Sequence, residues 1–287
     1  MNSNIEEKLN LSFSVAISIY KNDSPDFFDR AIESIYTNQT VKPSEIILIV
    51  DGPVSDKIDE IIKKYEIICG EILKVIRLEK NKGLGNALRI AVENSSYEII
   101  ARMDSDDVSY PTRFEQQLKV MKENQNIDIV GGDISEFIDT EDNIIAYRKV
   151  PVTDTEIKNY MKFRCPLNHV SVMYKKKAVL KAGGYLDLFC NEDYYLWIRM
   201  AECKCKMANT GTVLVNVRTG NDMYKRRGGR RYFLSEKFLQ DYMLKRKMIS
   251  NGTYVINVLK RWIVQCILPN NLRGWVFKTF ARNNSDF

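Results

Sequence analysis

Glu98-Ile99-Ile100-Ala101-Arg102-Met103-Asp104-Ser105-Asp106-Asp107 begins as a short apolar run and ends in three carboxylates. A buried strand that stops at an acidic turn has this pattern. In open α/β sheets, ligands bind outside the carboxyl ends of the strands. Carboxylates gathered there repel one another unless a cation lies between them. Mg2+ or Mn2+ suits such oxygen ligands, commonly one or two carboxylates together with substrate phosphates. The stretch therefore reads as a metal–diphosphate site at Asp104 and Asp106, with an exposed acidic turn as the simpler alternative.

Three strand–helix units precede it. Residues 12–20 read as a buried strand, and Ser24-Pro25 then opens a helix running to about Asn38. Residues 45–50 form a second strand, stopping at the turn Asp51-Gly52-Pro53, with a helix over 55–68 and a third strand over 72–78. Asn81-Lys82-Gly83-Leu84-Gly85 then opens an amphipathic helix, a place where backbone N–H groups can cradle a phosphate. This alternation implies a parallel sheet with right-handed crossovers. No Gly-x-Gly-x-x-Gly follows the first strand, which disfavours a dinucleotide site.

Beyond the acidic turn the pattern changes. A helix is predicted from Pro111 to about Asn124, short strands over 127–150, a strand over 167–174 and a short helix from Lys175 to Ala182. We divide the chain into an N-terminal tail (1–11), a two-lobed catalytic domain (12–220, with halves 12–108 and 109–220) and a basic C-terminal helical region (221–287).

The charge is uneven. Residues 1–220 carry 29 basic and 33 acidic side chains, whereas residues 221–287 carry 14 basic and 4 acidic. A basic tail suits an anionic partner such as phosphates or an anionic membrane; the acidic balance of the rest weakens a nucleic-acid reading. Six scattered cysteines and one histidine disfavour zinc and a disulfide framework, and a polar start without a signal peptide points to a cytoplasmic setting. No uncharged apolar run approaches the roughly 18–20 residues a spanning helix needs.

Four further features bear on function. Asn191-Glu192-Asp193-Tyr194-Tyr195-Leu196-Trp197-Ile198-Arg199 places two carboxylates in the first turn of a helix, where they either complement its dipole or provide a base that must reach a hydroxyl proton. His169, the single histidine, is a candidate for the site wall. Tyr224-Lys225-Arg226-Arg227-Gly228-Gly229-Arg230-Arg231 could close over a diphosphate, or be a solvated charged face. Finally, residues 253–287 mix aliphatic and aromatic residues with cations, as an interfacial helix would, or a helix packed on the second lobe.

In order, these motifs resemble family 2 glycosyltransferases of the GT-A fold, most of all bacterial enzymes that extend lipid-linked O-antigen or capsule repeat units. Ser14–Tyr20, Val50-Asp51-Gly52, Asn81–Ala87, Ala101–Asp107 with Pro111 and Arg113, and Glu192-Asp193 with Leu196-Trp197 carry the resemblance over roughly residues 12–235. It implies an α/β fold with a Rossmann-like nucleotide-binding half, a mixed acceptor-binding half and C-terminal helices. It also implies a UDP-sugar donor, Mn2+ or Mg2+, and an undecaprenyl-diphosphate-linked saccharide acceptor, with peripheral contact at the inner face of the cytoplasmic membrane.

By the same resemblance, Tyr20 and Asp51 contact the uracil, Lys82 or Arg102 the nucleotide or its phosphates, and Asp104 the ribose or metal. Asp106 is a metal ligand, and Asp193 is the base with Glu192 its neighbour or substitute. Arg226 and Arg227 steady the leaving UDP. The Gln-x-x-Arg-Trp motif of processive members is absent, so transfer of one sugar per acceptor is expected, and a single displacement by the base-activated hydroxyl implies inversion. Two rivals stand beside this reading: a haloacid-dehalogenase-like phosphatase with Asp104 as nucleophile, and a basic-tailed module binding RNA or lipid.

Overall fold

The structure, a computed structural model, describes residues 11–220 and 228–268. Its first half follows the predicted alternation. Strands β1 (Phe13–Ile19), β2 (Glu45–Val50), β3 (Leu73–Arg77) and β4 (Ile99–Met103) alternate with helices α1 (Pro25–Ile35), α2 (Asp56–Cys69) and α3 (Leu84–Asn94). The four strands are parallel, in spatial order β3-β2-β1-β4. Helix α1 ends at Ile35, short of Asn38, because the Glu33 carbonyl accepts the N–H groups of Tyr36 and Asn38 and the Thr37 hydroxyl, closing the chain into a turn.

The second half extends the same sheet. It contains β5 (Val108–Ser109), α4 (Arg113–Glu123), β6 (Ile127–Phe137), β7 (Ile144–Arg148), α5 (Asp154–Met161), β8 (Met173–Lys175), α6 (Lys176–Lys181), α7 (Glu192–Glu202) and β9 (Lys206–Arg218). Among the described residues the nine strands form one sheet, ordered β3-β2-β1-β4-β8-β6-β9-β5, with β7 beside the far half of β6. The antiparallel strand β8 joins the halves, pairing Ala101 with Met173 on one side and Val130 with Met173 on the other.

Two local differences have physical causes. Residues 127–137 form one long strand rather than several short ones. It shifts register against β9 between Gly131 and Asp133, where a Cβ on Gly132 would lie 2.4 Å from Leu214 Cδ1. Residues 167–174 are not one strand: a 3-10 turn, His169–Ser171, precedes β8. The Asn168 amide and the Ser171 hydroxyl both donate to the Gly132 carbonyl (2.8 and 3.1 Å), drawing this backbone out of a regular ladder.

Both faces of the sheet are buried. Ile46, Leu48 and Val50 pack with Phe28, Ile32, Ile58, Ile62 and Phe114, while Ile47 and Ile49 pack with Ala87, Leu88, Ala91 and Trp197. The alternation along β2 therefore serves two apolar layers, as expected for a strand covered by helices on both sides. Helix α8 (Arg230–Lys245) adds Leu239 and Met243 to the second layer. Helix α9 (Asn251–Trp262) runs on into a π-helical turn, Ile263–Ile267.

Candidate active site

The carboxyl ends of β1, β2 and β4 converge on one edge of the sheet. At the end of β4, Asp104, Asp106 and Asp107 each offer an oxygen, all within 4.8 Å of one another. Asp104 is half-buried, Asp106 is exposed and Asp107 is buried. Partial withdrawal from water in the turn, then the charges of Asp104 and Asp23, push the Asp106 carboxyl above its ordinary value. Burial, then Asp106 and Asp104, hold Asp107 well above the usual carboxylate range. Such a set fits a hard divalent cation, which would relieve this repulsion. Of the three, Asp106 is the most open to solvent.

Three arginines shape this turn. Arg102 is 1% exposed, and its guanidinium forks onto both carboxylate oxygens of Asp104. A carboxylate so engaged is poorly suited to be a phosphatase nucleophile. Arg113, fully buried, donates to the Arg102 carbonyl (2.6 Å) and pins the end of β4. From the end of β9, the Arg218 backbone N–H donates to Asp107 (2.8 Å) and its Nε to the Asp106 carbonyl (3.2 Å). The Arg218 guanidinium lies over the rings of Phe27 and Phe137, at 3.7 and 4.6 Å from their centroids.

A second turn lies at the end of β2. The two carboxylate oxygens of Asp51 accept the backbone N–H groups of Lys82 (2.7 Å) and Gly83 (2.9 Å), fixing the approach to α3. Gly52 is required here: its φ is +89°, and a Cβ would lie 2.7 Å from the Asn81 nitrogen. Lys82 is exposed, and so is Tyr20, whose backbone N–H donates to Asp23 (3.0 Å).

Helix α3 then meets α7. A Cβ on Gly85 would lie 3.7 Å from the Glu192 Cβ, so the N-terminal ends of the two helices adjoin. Burial first, and then Asp193, push the Glu192 carboxyl up to about 7; Arg102 and Asp104 also act on it from the end of β4. Asp193 is half-buried, 3.9 Å from the Cys165 sulfur. The entry to α7 is clamped by Asn191, whose amide donates to the Ser235 hydroxyl of α8 (3.0 Å). Behind it, Arg199 donates to the Ala182 and Gly184 carbonyls and holds the turn leading to Tyr185.

His169 lies between these groups. Its Nε2 is 3.0 Å from the Tyr185 hydroxyl, and its ring stands edge-on to Trp197. Burial, then the positive charge of Arg102, hold it well below the ordinary histidine value, so it is neutral.

The structure thus brings Asp51, Arg102, Asp104, Asp106, His169, Glu192 and Asp193 to one end of the sheet. Arg226 and Arg227 lie outside the described residues. Sequence reasoning missed Asp23 and Arg218. Asp23 accepts from the Ser105 hydroxyl (2.9 Å) and bears electrostatically on Asp104 and Asp106. Its signal was faint: one carboxylate just past the first strand.

Comparison with known proteins agrees with this geometry. Residues 14–186 match the sequence model of the family described as Glycosyl transferase family 2. The chain is 36% identical to Escherichia coli UDP-Gal:alpha-D-GlcNAc-diphosphoundecaprenol beta-1,3-galactosyltransferase, covering 94% of this chain and 96% of that protein. It is 34% identical to the amylovoran biosynthesis glycosyltransferase AmsE of Erwinia amylovora, covering 84% and 88%. Among solved structures, S. aureus TarS 1-349 in complex with UDP-GlcNAc superposes with a TM-score of 0.63 at 15% identity, covering 88% of this chain and 73% of that one.

Proposed function

The chain belongs to glycosyl transferase family 2, and from that premise we propose that it moves one sugar, with inversion, from a UDP-sugar to a saccharide carried on a polyprenyl diphosphate. It is a glycosyltransferase with a GT-A fold. The observation that carries the reading is the pairing of two acidic groups across one cleft. Asp104, Asp106 and Asp107 end β4, and Glu192 and Asp193 open α7, with Glu192 within electrostatic reach of Asp104. The first suits a diphosphate leaving group, the second an acceptor hydroxyl. The Escherichia coli relative, a UDP-Gal:alpha-D-GlcNAc-diphosphoundecaprenol galactosyltransferase, supports the donor and the lipid-linked acceptor, and the Erwinia amylovora amylovoran biosynthesis glycosyltransferase supports a place in polysaccharide synthesis.

In this proposal residues 12–108 bind the nucleotide and 109–220 the acceptor. Tyr20 stacks on or edges the uracil. Asp51 shapes its pocket through the Lys82–Gly83 backbone, and Lys82 reaches the phosphates. Arg102 sets the orientation of Asp104, which meets ribose or metal. Asp104 and Asp106 would hold Mn2+ or Mg2+, which when bound supplies Lewis-acid stabilisation of the charge growing on the diphosphate. Arg226 and Arg227 add positive charge to the departing UDP. Asp193 accepts the proton of the acceptor hydroxyl as that oxygen bonds to the anomeric carbon. The bond from the anomeric carbon to the phosphate oxygen breaks on the opposite face, and UDP leaves with its electron pair. Glu192 tunes Asp193, and His169, kept neutral, forms part of the acceptor wall. The work is done at the cytoplasmic membrane surface, where a polyprenyl acceptor resides.

The test is UDP release from UDP-galactose, UDP-glucose and their N-acetyl forms, with Mn2+ or EDTA, with and without a GlcNAc-diphosphate-lipid analogue. Release with one donor, abolished by EDTA and raised by acceptor, is expected. No release with any of the four from folded protein would overturn the donor class.

A further inference from the structure

Helix α9 is turned inside out relative to a helix that packs on a core. Asn257, Arg261 and Gln265, spaced four apart, lie on its inner side. The Asn257 amide donates to the Lys162 carbonyl and to Gln240 of α8, each at 2.9 Å. Arg261 pairs with Glu236 of α8 and donates to the Phe163 carbonyl (2.7 Å), and the Gln265 carbonyl accepts the Gly229 N–H (2.9 Å). The outward side carries Val255, Ile256, Leu259, Trp262, Ile263 and Ile267, each between 45% and 54% exposed. Water-facing helices show the opposite arrangement.

We propose that this outward face seats the enzyme on an anionic lipid bilayer, beside the acceptor side of the active site. The inference deepens the reading of a lipid-linked acceptor and rests on it for its purpose. The face is a single stripe, continuous through the π-helical turn, over 17 residues from Asn251 to Ile267. At 1.5 Å per residue such a segment is about 25 Å long, suited to lie in the interface with its apolar side down. No helix among the described residues is long and apolar enough to cross a membrane.

Charge decides between a bilayer and a second copy of the chain. Exposed Lys245 and Lys247 lie just before the helix, exposed Lys260 lies within it, and residues 228–268 hold 8 basic side chains against 2 acidic ones. Two such surfaces face to face would repel, whereas anionic headgroups would attract each.

The inner side of the helix, opposite the stripe, is tied to the base. Phe163, whose carbonyl receives Arg261, is half exposed and lies two residues before Cys165, the neighbour of Asp193. Glu236, the partner of Arg261, follows Ser235, which holds Asn191 at the start of α7. A bilayer under α9 would therefore present a polyprenyl diphosphate close to Asp193.

The test uses the full chain and its variant Ile256→Ser/Leu259→Ser/Ile263→Ser, sedimented with phosphatidylcholine vesicles with and without phosphatidylglycerol. Wild type is expected to sediment with the anionic vesicles, and the variant to lose at least tenfold in partitioning while keeping its melting temperature. UDP release with a short-chain soluble acceptor should be equal in the two proteins. Wild type that stays in the supernatant, or a variant that sediments equally, overturns the proposal. So does a wild-type dimer by light scattering that the substitutions turn into monomer, since a second copy then covers the stripe. Vesicle binding that depends on the stripe, with no UDP release from either protein, would retain the docking surface and remove the glycosyl-transfer reading of its purpose.

Discussion

Arg102 and Asp104, two residues apart at the end of β4, face each other as a fork and a carboxylate, with the arginine almost wholly buried. The pairing presets Asp104 before any substrate arrives. A lysine there keeps the charge but not the two-pronged geometry. We expect Arg102→Lys to lower kcat/KM for the donor roughly 10- to 100-fold, about 1.4–2.8 kcal/mol, and to weaken activation by Mn2+. Arg102→Met should do more, since it leaves Asp104 without its partner. Metal titration of UDP release checks both; wild-type metal dependence in Arg102→Lys would refute the positioning role.

Asp51 predicts a different signature. Both its oxygens are spent on the Lys82 and Gly83 N–H groups, so its work is to hold the loop. In Asp51→Asn one of these N–H groups loses its acceptor, at roughly 1–3 kcal/mol. The donor KM should rise, with kcat changed far less. A loss confined to kcat, measured by donor titration at saturating acceptor, would place Asp51 in the chemistry instead.

Glu192 predicts a pH-dependent stability. Its carboxyl is held near 7 in the folded chain by burial and Asp193, against an ordinary value of 4.5. The folded state therefore keeps a proton that the unfolded chain loses, and stability falls as pH rises from 4.5 to 7. Glu192→Gln removes this loss. Its melting temperature should match wild type near pH 4.5, rise above it with increasing pH and level off past pH 7.5. The plateau should be roughly 3 kcal/mol, several degrees. A constant offset across this range would show that the Glu192 proton is not what differs.

Much of this was legible in the sequence because its carriers are local. A five-residue run, apolar but for Arg102, that ends in Asp-Ser-Asp-Asp fixes a strand and an acidic turn together, and a Gly-Leu-Gly pair at the start of a periodic helix marks a helix N-terminus. The supports of the acidic turn were not legible, since they arrive from afar. Ser105 meets Asp23 across 82 residues, and Asp107 meets the Arg218 backbone across 111. No periodicity reports such contacts.

Helix α9 shows the same division. Its amphipathic pattern could be read directly, leaving an interfacial helix and a packed helix both open. Which side turns inward depends on the Lys162 and Phe163 carbonyls and on Glu236 and Gln240, all from other elements. The 3-10 turn at His169 is likewise set by the distant Gly132 carbonyl, which the alternation over 167–174 concealed.

The most direct measurement is on Asp193→Asn, comparing UDP binding in Mn2+ by calorimetry with acceptor-dependent turnover in the same preparation. The account predicts unchanged UDP affinity and turnover reduced at least a thousandfold. Near-normal turnover with intact UDP binding would remove Asp193 as the base and contradict the assignment of the two sides of the cleft.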